Sequence, residues 1–125
     1  MIDNYEDHIR FYVLDRTTRQ TVRLTDDGSG DPLVVQWARI LGDMGTDARR
    51  VAWDDIHDMG LHVSTVFMGF DMMHDCGLHR VPLLFETMVF DQEGPVGDRI
   101  STATLDDAER AHAAMVAQLR AGVRP

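Results

Sequence analysis

Two short runs constrain this chain more than any other feature: Leu61–Met68 and Pro82–Phe90 are dense in β-branched and aromatic residues. Each carries apolar side chains at both odd and even positions. Successive side chains of a strand point to opposite faces, so such runs belong in the middle of a sheet. Flanking strands are then needed. Ile9–Leu14 and Gln20–Leu24 supply two, joined by the polar turn Asp15–Arg19. Arg50–Asp54 and Arg99–Ala103 are further short candidates.

Two segments change period from two to about 3.6. Asp31-Pro32 is a helix start, with a carboxylate able to cap free amides and a proline suited to the first helical position. Leu33, Val34, Trp37, Ile40 and Leu41 then form an apolar stripe expected to face a core, ended by Gly42 and Gly45. The second helix is Leu105–Ala121. Thr104 and Asp107 resemble a capping box, Leu105, Ala108, His112, Met115, Val116 and Leu119 make the apolar face, and Gly122 stops it. The expected architecture is α+β: a mostly antiparallel sheet of about five to six strands with two helices packed on it.

At 125 residues, 1–125 reads as a single domain. The longest apolar run, around Val81–Phe85, is strand-sized, so no membrane partner is expected. Acidic residues occupy the start of the chain where a signal peptide would carry bases. A single cysteine, Cys76, excludes an internal disulfide framework and points to a reducing cytoplasm. The net charge of −9 argues against nucleic acid as a partner, because phosphate binding needs clustered Lys and Arg. All twelve basic residues are Arg, a bias typical of a high-GC genome. The acids are scattered in pairs such as Asp26-Asp27, Asp54-Asp55 and Asp106-Asp107, which favours simple solubility over mimicry of a DNA stripe.

Chemistry-bearing residues concentrate in Asp71–Arg80, which holds Asp71, His74, Asp75, Cys76 and His79. The spacing H-x-C-x-x-H matches no strong zinc pattern, so ordinary surface hydrogen bonding is the expected role and no metal is assigned. Glu86 lies inside a strand, with Leu84, Met88 and Phe90 as its same-face neighbours by alternation. A carboxylate there is paired, protonated or aimed into a pocket. His62 shares a face with Ser64, Val66 and Met68, and would neighbour Glu86 across the strands if the two faces coincide. His112, on the apolar face of a helix, reads as a satisfied core histidine. No nucleophile elbow, phosphate loop or dinucleotide fingerprint is present, so neither catalytic residues nor a cofactor are assigned.

Val63-Ser-Thr-Val-Phe-Met-Gly-Phe-Asp71, Pro82-Leu-Leu-Phe-Glu-Thr-Met-Val-Phe90, Ser101-Thr and Ala108-Glu-Arg-Ala-His112-Ala-Ala-Met-Val116 carry a resemblance. Together they are similar to a family of small uncharacterised proteins of actinobacterial bacteriophages and prophages. In that family a VSTVFLG-x-D strand leads through a Gly-rich loop to LFETMVF, and the last helix contains GH-x-x-MV. This chain departs from the family in the loop, with Asp71-Met-Met-His74 and Arg80-Val-Pro82. The resemblance implies a phage setting, hence the host cytoplasm, and a shared fold; it implies no reaction. The leading expectation is a non-catalytic accessory protein that binds a host protein or small ligand through Glu86, Asp71, His62 and His74. An acid–base or metal-dependent enzyme using the same four residues is the alternative, and a minor virion or assembly component is a third. An exposed central-sheet face would favour a homodimer.

Overall fold

The computed structural model describes residues 9–43, 49–72 and 81–125. In chain order they form strands β1 (Ile9–Asp15) and β2 (Gln20–Arg23), helix α1 (Leu33–Asp43), strand β3 (Arg50–Ile56), a 3₁₀ turn (His57–Met59), strands β4 (Leu61–Phe67), β5 (Phe70–Met72), β6 (Phe85–Asp91) and β7 (Gly94–Thr102), and helix α2 (Leu105–Arg120). The α+β class and the antiparallel pairing are as expected. The single sheet is not: the strands divide into a three-stranded sheet, β2-β1-β5, and a four-stranded sheet, β3-β4-β6-β7.

The two runs singled out above occupy the centre of the four-stranded sheet. Their alternation is strict. Leu61, Val63, Thr65 and Phe67 are buried while His62, Ser64 and Val66 are half-buried, and Phe85, Thr87 and Val89 are buried while Glu86, Met88 and Phe90 are not. Helix α2 lies on the buried face. Met115, Val116 and Leu119 pack with Ile56, Leu61, Val63 and Val89, and Leu105 and Ala108 pack with Leu14, Phe67, Leu84 and Phe85. Each fully buried Leu or Phe removes enough apolar surface to contribute about 1.5–3 kcal/mol. The helix starts where its cap requires, with the Thr104 hydroxyl accepting from the Asp107 amide at 3.1 Å.

Several boundaries differ from expectation for local reasons. Strand β6 begins at Phe85, since Pro82 has no N–H to give a ladder. Leu84 breaks the alternation by turning into the core at 1% exposure, so it does not share a face with Glu86. Strand β7 starts at Gly94 rather than Arg99, extended by a tight turn in which Asp91 Oδ1 accepts from the amides of Glu93 and Gly94. Asp71, expected in a loop, belongs to the short strand β5 and pairs in register with Arg10 of β1.

Helix α1 packs on the three-stranded sheet through Trp37, whose ring meets Phe11 and Phe70 and whose Nε1–H donates to the Tyr12 carbonyl at 3.0 Å. The rest of its apolar stripe is only partly covered, and Val34 and Val35 are exposed. Its one buried residue is Gln36. That amide donates to Asp26 and to the Asp31 carbonyl and accepts from the Asp27 amide, so it holds down the preceding loop. Hydrogen bonds from the Gly28 amide and then from Gln36 keep the Asp26 carboxyl below its ordinary range. The β1–β2 hairpin is tied to α2 by Arg19, which contacts both Asp106 and Glu109. These groups are exposed, so the pairing is a weak tether.

Gly69 lies between β4 and β5, where the chain passes from one sheet to the other. Its φ is +77°, and an added Cβ would lie 2.9 Å from Phe67 Cε2 and 3.1 Å from the Trp37 indole. Gly28 has a similar φ of +83° with open space around it. Replacing Gly28 by Ala should cost only the left-handed strain, about 1 kcal/mol. Gly69→Ala adds a steric clash and should cost at least about 1 kcal/mol more. Urea denaturation of the two variants measures the difference.

Candidate binding site

The inner face of the four-stranded sheet contains a polar chain. Thr65 of β4 and Thr87 of β6 are paired in register, and their hydroxyls lie 2.7 Å apart. The Thr65 hydroxyl also meets His112 Nδ1 at 2.8 Å, and His112 Nε2 meets Asp54 Oδ2 of β3 at 2.8 Å. One direction of donation satisfies each of these contacts. Thr87 donates to Thr65, Thr65 donates to Nδ1, and Nε2–H donates to the Asp54 carboxylate.

A carboxylate, an imidazole and a hydroxyl in a row invite comparison with a nucleophilic triad. Two observations exclude that use. Thr65 is fully buried, at 0% exposure, so no substrate reaches it. Its oxygen is also shared with a second threonine rather than aimed at a cleft. The set is a structural clamp joining α2 to three strands, and His112 is the satisfied core histidine its position suggested.

The outer face is built differently. Trp53 of β3, His62 of β4 and Phe90 of β6 form a row of rings across three strands. Centroid separations are 4.3 Å and 5.2 Å, with interplanar angles of 18° and 14°. Those separations match the spacing of neighbouring strands, about 4.8 Å. The rings therefore stand upright and stack on each other, leaving their edges, not their faces, toward solvent. Arg50 covers the end of the row, its guanidinium 4.9 Å from the Trp53 ring centroid. A platform for unstacked nucleobases needs free ring faces, which this row has already used.

Beside His62, the middle ring of this row, an open cleft of about 330 Å³ lies at the strand ends, lined by Asp55, His57, Gly60, Leu61, His62, Asp91 and Gln92. Two turns form its walls. Gly60, in the left-handed region, closes the 3₁₀ turn by donating to the His57 carbonyl at 3.2 Å. The Asp91 turn between β6 and β7 forms the other side. Asp55 and Asp91 are both anchored through one oxygen: Asp55 Oδ1 accepts from Trp53 Nε1 at 3.3 Å, and Asp91 Oδ1 accepts the two turn amides. A second depression of similar size continues past Gly60, Asp91 and Gln92 to Glu93.

Of the three described residues expected to form a site, Glu86, Asp71 and His62, only His62 lines this cleft. Glu86 is on the same outer face, as alternation allowed, but His62 pairs with Phe90 and Glu86 pairs with Val66. Four residues along the strand separate them by roughly 13 Å. Among the described residues Glu86 pairs with Arg99 of β7, at 3.4 Å, and not with His62. Asp71 sits in the other sheet. His74, with Asp75, Cys76, His79 and Arg80, lies outside the described residues. Among the described residues no group of three or more His, Cys, Asp or Glu side chains is arranged to hold a metal ion. None of the described helices is long and apolar enough to cross a membrane. The residues that sequence reasoning missed are Asp55, His57, Asp91 and Gln92. All four stand at strand ends or in turns, where only the three-dimensional pairing of β3, β4 and β6 brings them together.

No protein-family model matches this chain, and comparison with characterised proteins and with solved structures likewise gives no match.

The clamp makes its own prediction. Thr65→Val keeps the shape but strips hydrogen-bond partners from both His112 and Thr87, and should cost about 1–3 kcal/mol. Thr87→Val ends the chain at its last member and should cost less. Denaturation midpoints in urea rank the two.

Proposed function

We propose that this chain is a small phage-type accessory protein that binds rather than catalyses, and that the Asp55–His62–Asp91 cleft receives a cationic group. An amine or guanidinium fits the chemistry, whether it belongs to a free small ligand or to a side chain of a host protein. The observation that carries the reading is the placement of two anchored carboxylates, Asp55 and Asp91, on the wall of one cleft beside the stacked His62 ring. Each has a second oxygen to offer, and charge-assisted hydrogen bonds to carboxylates are among the stronger ones available at a protein surface. Among the described residues the lining includes no hydroxyl, thiol or amine nucleophile. The excess of acid over base in the whole chain adds attraction at long range, steering a cation toward it.

The phage setting rests on the similarity of Val63–Asp71 and Pro82–Phe90 to the family described above, and on this reading the partner is a component of the host cytoplasm. The enzyme reading had required Glu86, Asp71, His62 and His74 to converge. The separation of Glu86 and Asp71 from His62 favours binding over that alternative.

Titration with methylguanidine and methylammonium, followed by amide chemical shifts, is the direct test. Shifts should centre on Gly60, His62 and Gln92 and weaken with added salt. Asp55→Asn combined with Asp91→Asn should weaken binding at least about tenfold, equivalent to about 1.4 kcal/mol. An arginine-containing peptide binding far more tightly than either probe would identify a protein side chain as the natural occupant. Shifts spread over the whole surface, or none at the cleft, would remove the proposal.

A further inference from the structure

Two histidines line the same cleft as the two carboxylates. His57 opens the 3₁₀ turn two residues beyond Asp55. His62 is in register with Asp55 of β3 on one side and with Phe90 of β6, the residue before Asp91, on the other. In-register side chains on one face of neighbouring strands have Cβ atoms about 5 Å apart. Unit charges at that separation near a protein surface change an affinity by roughly tenfold or more. The chain has no lysine, and among the described residues the lining has no arginine. Carboxylates ordinarily keep their charge over the range, about pH 5 to 8, in which an imidazole gains a proton. The two histidines are therefore the groups through which the charge of the described lining changes near neutral pH.

His62 cannot easily withdraw from the carboxylates when it becomes charged. Its ring is stacked on Trp53 at 4.3 Å and on Phe90 at 5.2 Å, both nearly parallel to it. Swinging the ring out of the cleft breaks both stacks. The other charged groups nearby are Asp58, beside His57 in the turn, Glu93, on the neighbouring depression, and Arg50, over the Trp53 ring.

We propose, building on the cation reading above, that this cleft is a pH-sensitive site: it takes a cation while His57 and His62 are neutral and releases it as they gain protons. With both imidazoles neutral, the described lining carries two negative charges and no positive one. A neutral imidazole also has a ring nitrogen that accepts a hydrogen bond from the guest. With both protonated, two positive charges offset the two carboxylates. Every imidazole nitrogen is then a donor, competing with the guest for the second oxygens of Asp55 and Asp91. Affinity therefore falls as pH falls through the histidine range. Linkage is reciprocal, so a bound cation drives protons off the histidines to the same extent.

Methylguanidine is the probe, because a guanidinium keeps its own charge throughout. Its dissociation constant, followed by amide shifts, should be at least about tenfold higher near pH 5.5 than near pH 8. Circular dichroism at both pH values monitors the fold. That control matters because His112, on the opposite face and bonded to Thr65 and Asp54, would act through stability and not through the cleft. His62→Phe, which keeps a ring in the stack, combined with His57→Gln should bring the ratio of the two constants close to one, whatever the affinity at either pH. In the wild-type chain, added methylguanidine should move the imidazole titrations of His57 and His62 to lower pH. Binding equally tight at both pH values would overturn the proposal and leave the cation reading standing. So would a pH dependence that survives in the folded double variant. Absence of binding near pH 8 would instead remove the cation reading, and the pH dependence with it.

Discussion

The contact on which the rest depends is the seating of α2 against the inner faces of β4 and β6, with the Asp54–His112–Thr65–Thr87 chain inside it. A helix laid on a sheet through apolar contacts alone is free to slide or rotate by small steps at little cost. Hydrogen bonds allow no such freedom. His112 reaches β3 with one ring nitrogen and β4 with the other, and Thr65 passes the contact to β6. A shift of one residue in any of these strands would strand a buried polar group, at a cost of about 1–3 kcal/mol each. The clamp therefore fixes the register of three strands at once, which apolar packing specifies less sharply.

Register matters because the outer face is assembled from it. The Trp53–His62–Phe90 row needs all three strands in step, since each ring comes from a different one. The row in turn fixes the cleft, because His62 is held between two neighbours and Trp53 holds Asp55. Inner polar clamp, outer aromatic row and end cleft thus form one mechanical series. Each depends on the one before it.

Much of this was legible in the sequence, and what was missed follows a pattern. The central strands, both helices and the Thr104 cap were readable because their signals are local: periodicity within a segment, or a capping residue beside it. His112 was readable as a core residue because its helix face was. The division into two sheets was not, since it depends on strand β5, three residues long and hidden beside a stretch of sequence dense in His and Asp. Helix α1 misled in another way. Its apolar stripe was real, but the sheet beneath it is small, and Gln36, a polar residue serving the preceding loop, took the buried position. Glu86 drew attention as a carboxylate within a strand, yet its answer lay in Arg99, on a strand whose length was underestimated. The cleft residues Asp55, His57, Asp91 and Gln92 occupy turns and strand ends, where single-residue chemistry looks ordinary until pairing brings it together.

The two faces of the sheet show why a hydroxyl–imidazole–carboxylate row is not by itself chemistry. The inner row has the residue types of a triad and hydrogen bonds of good length, but its hydroxyls and imidazole are buried, and every donor is already spent on its neighbour. The outer cleft has carboxylates and imidazoles without a nucleophile, but it is open and its carboxylates are anchored by only one oxygen each. Reactivity needs both an activated group and access; recognition needs access and an unspent partner atom. By that criterion the inner row holds the fold together, while the outer cleft has the access that recognition needs. The separation also explains how the two coexist in so small a domain: the strands β4 and β6 turn one set of alternate residues to stability and the other to the surface, and neither set has to compromise for the other.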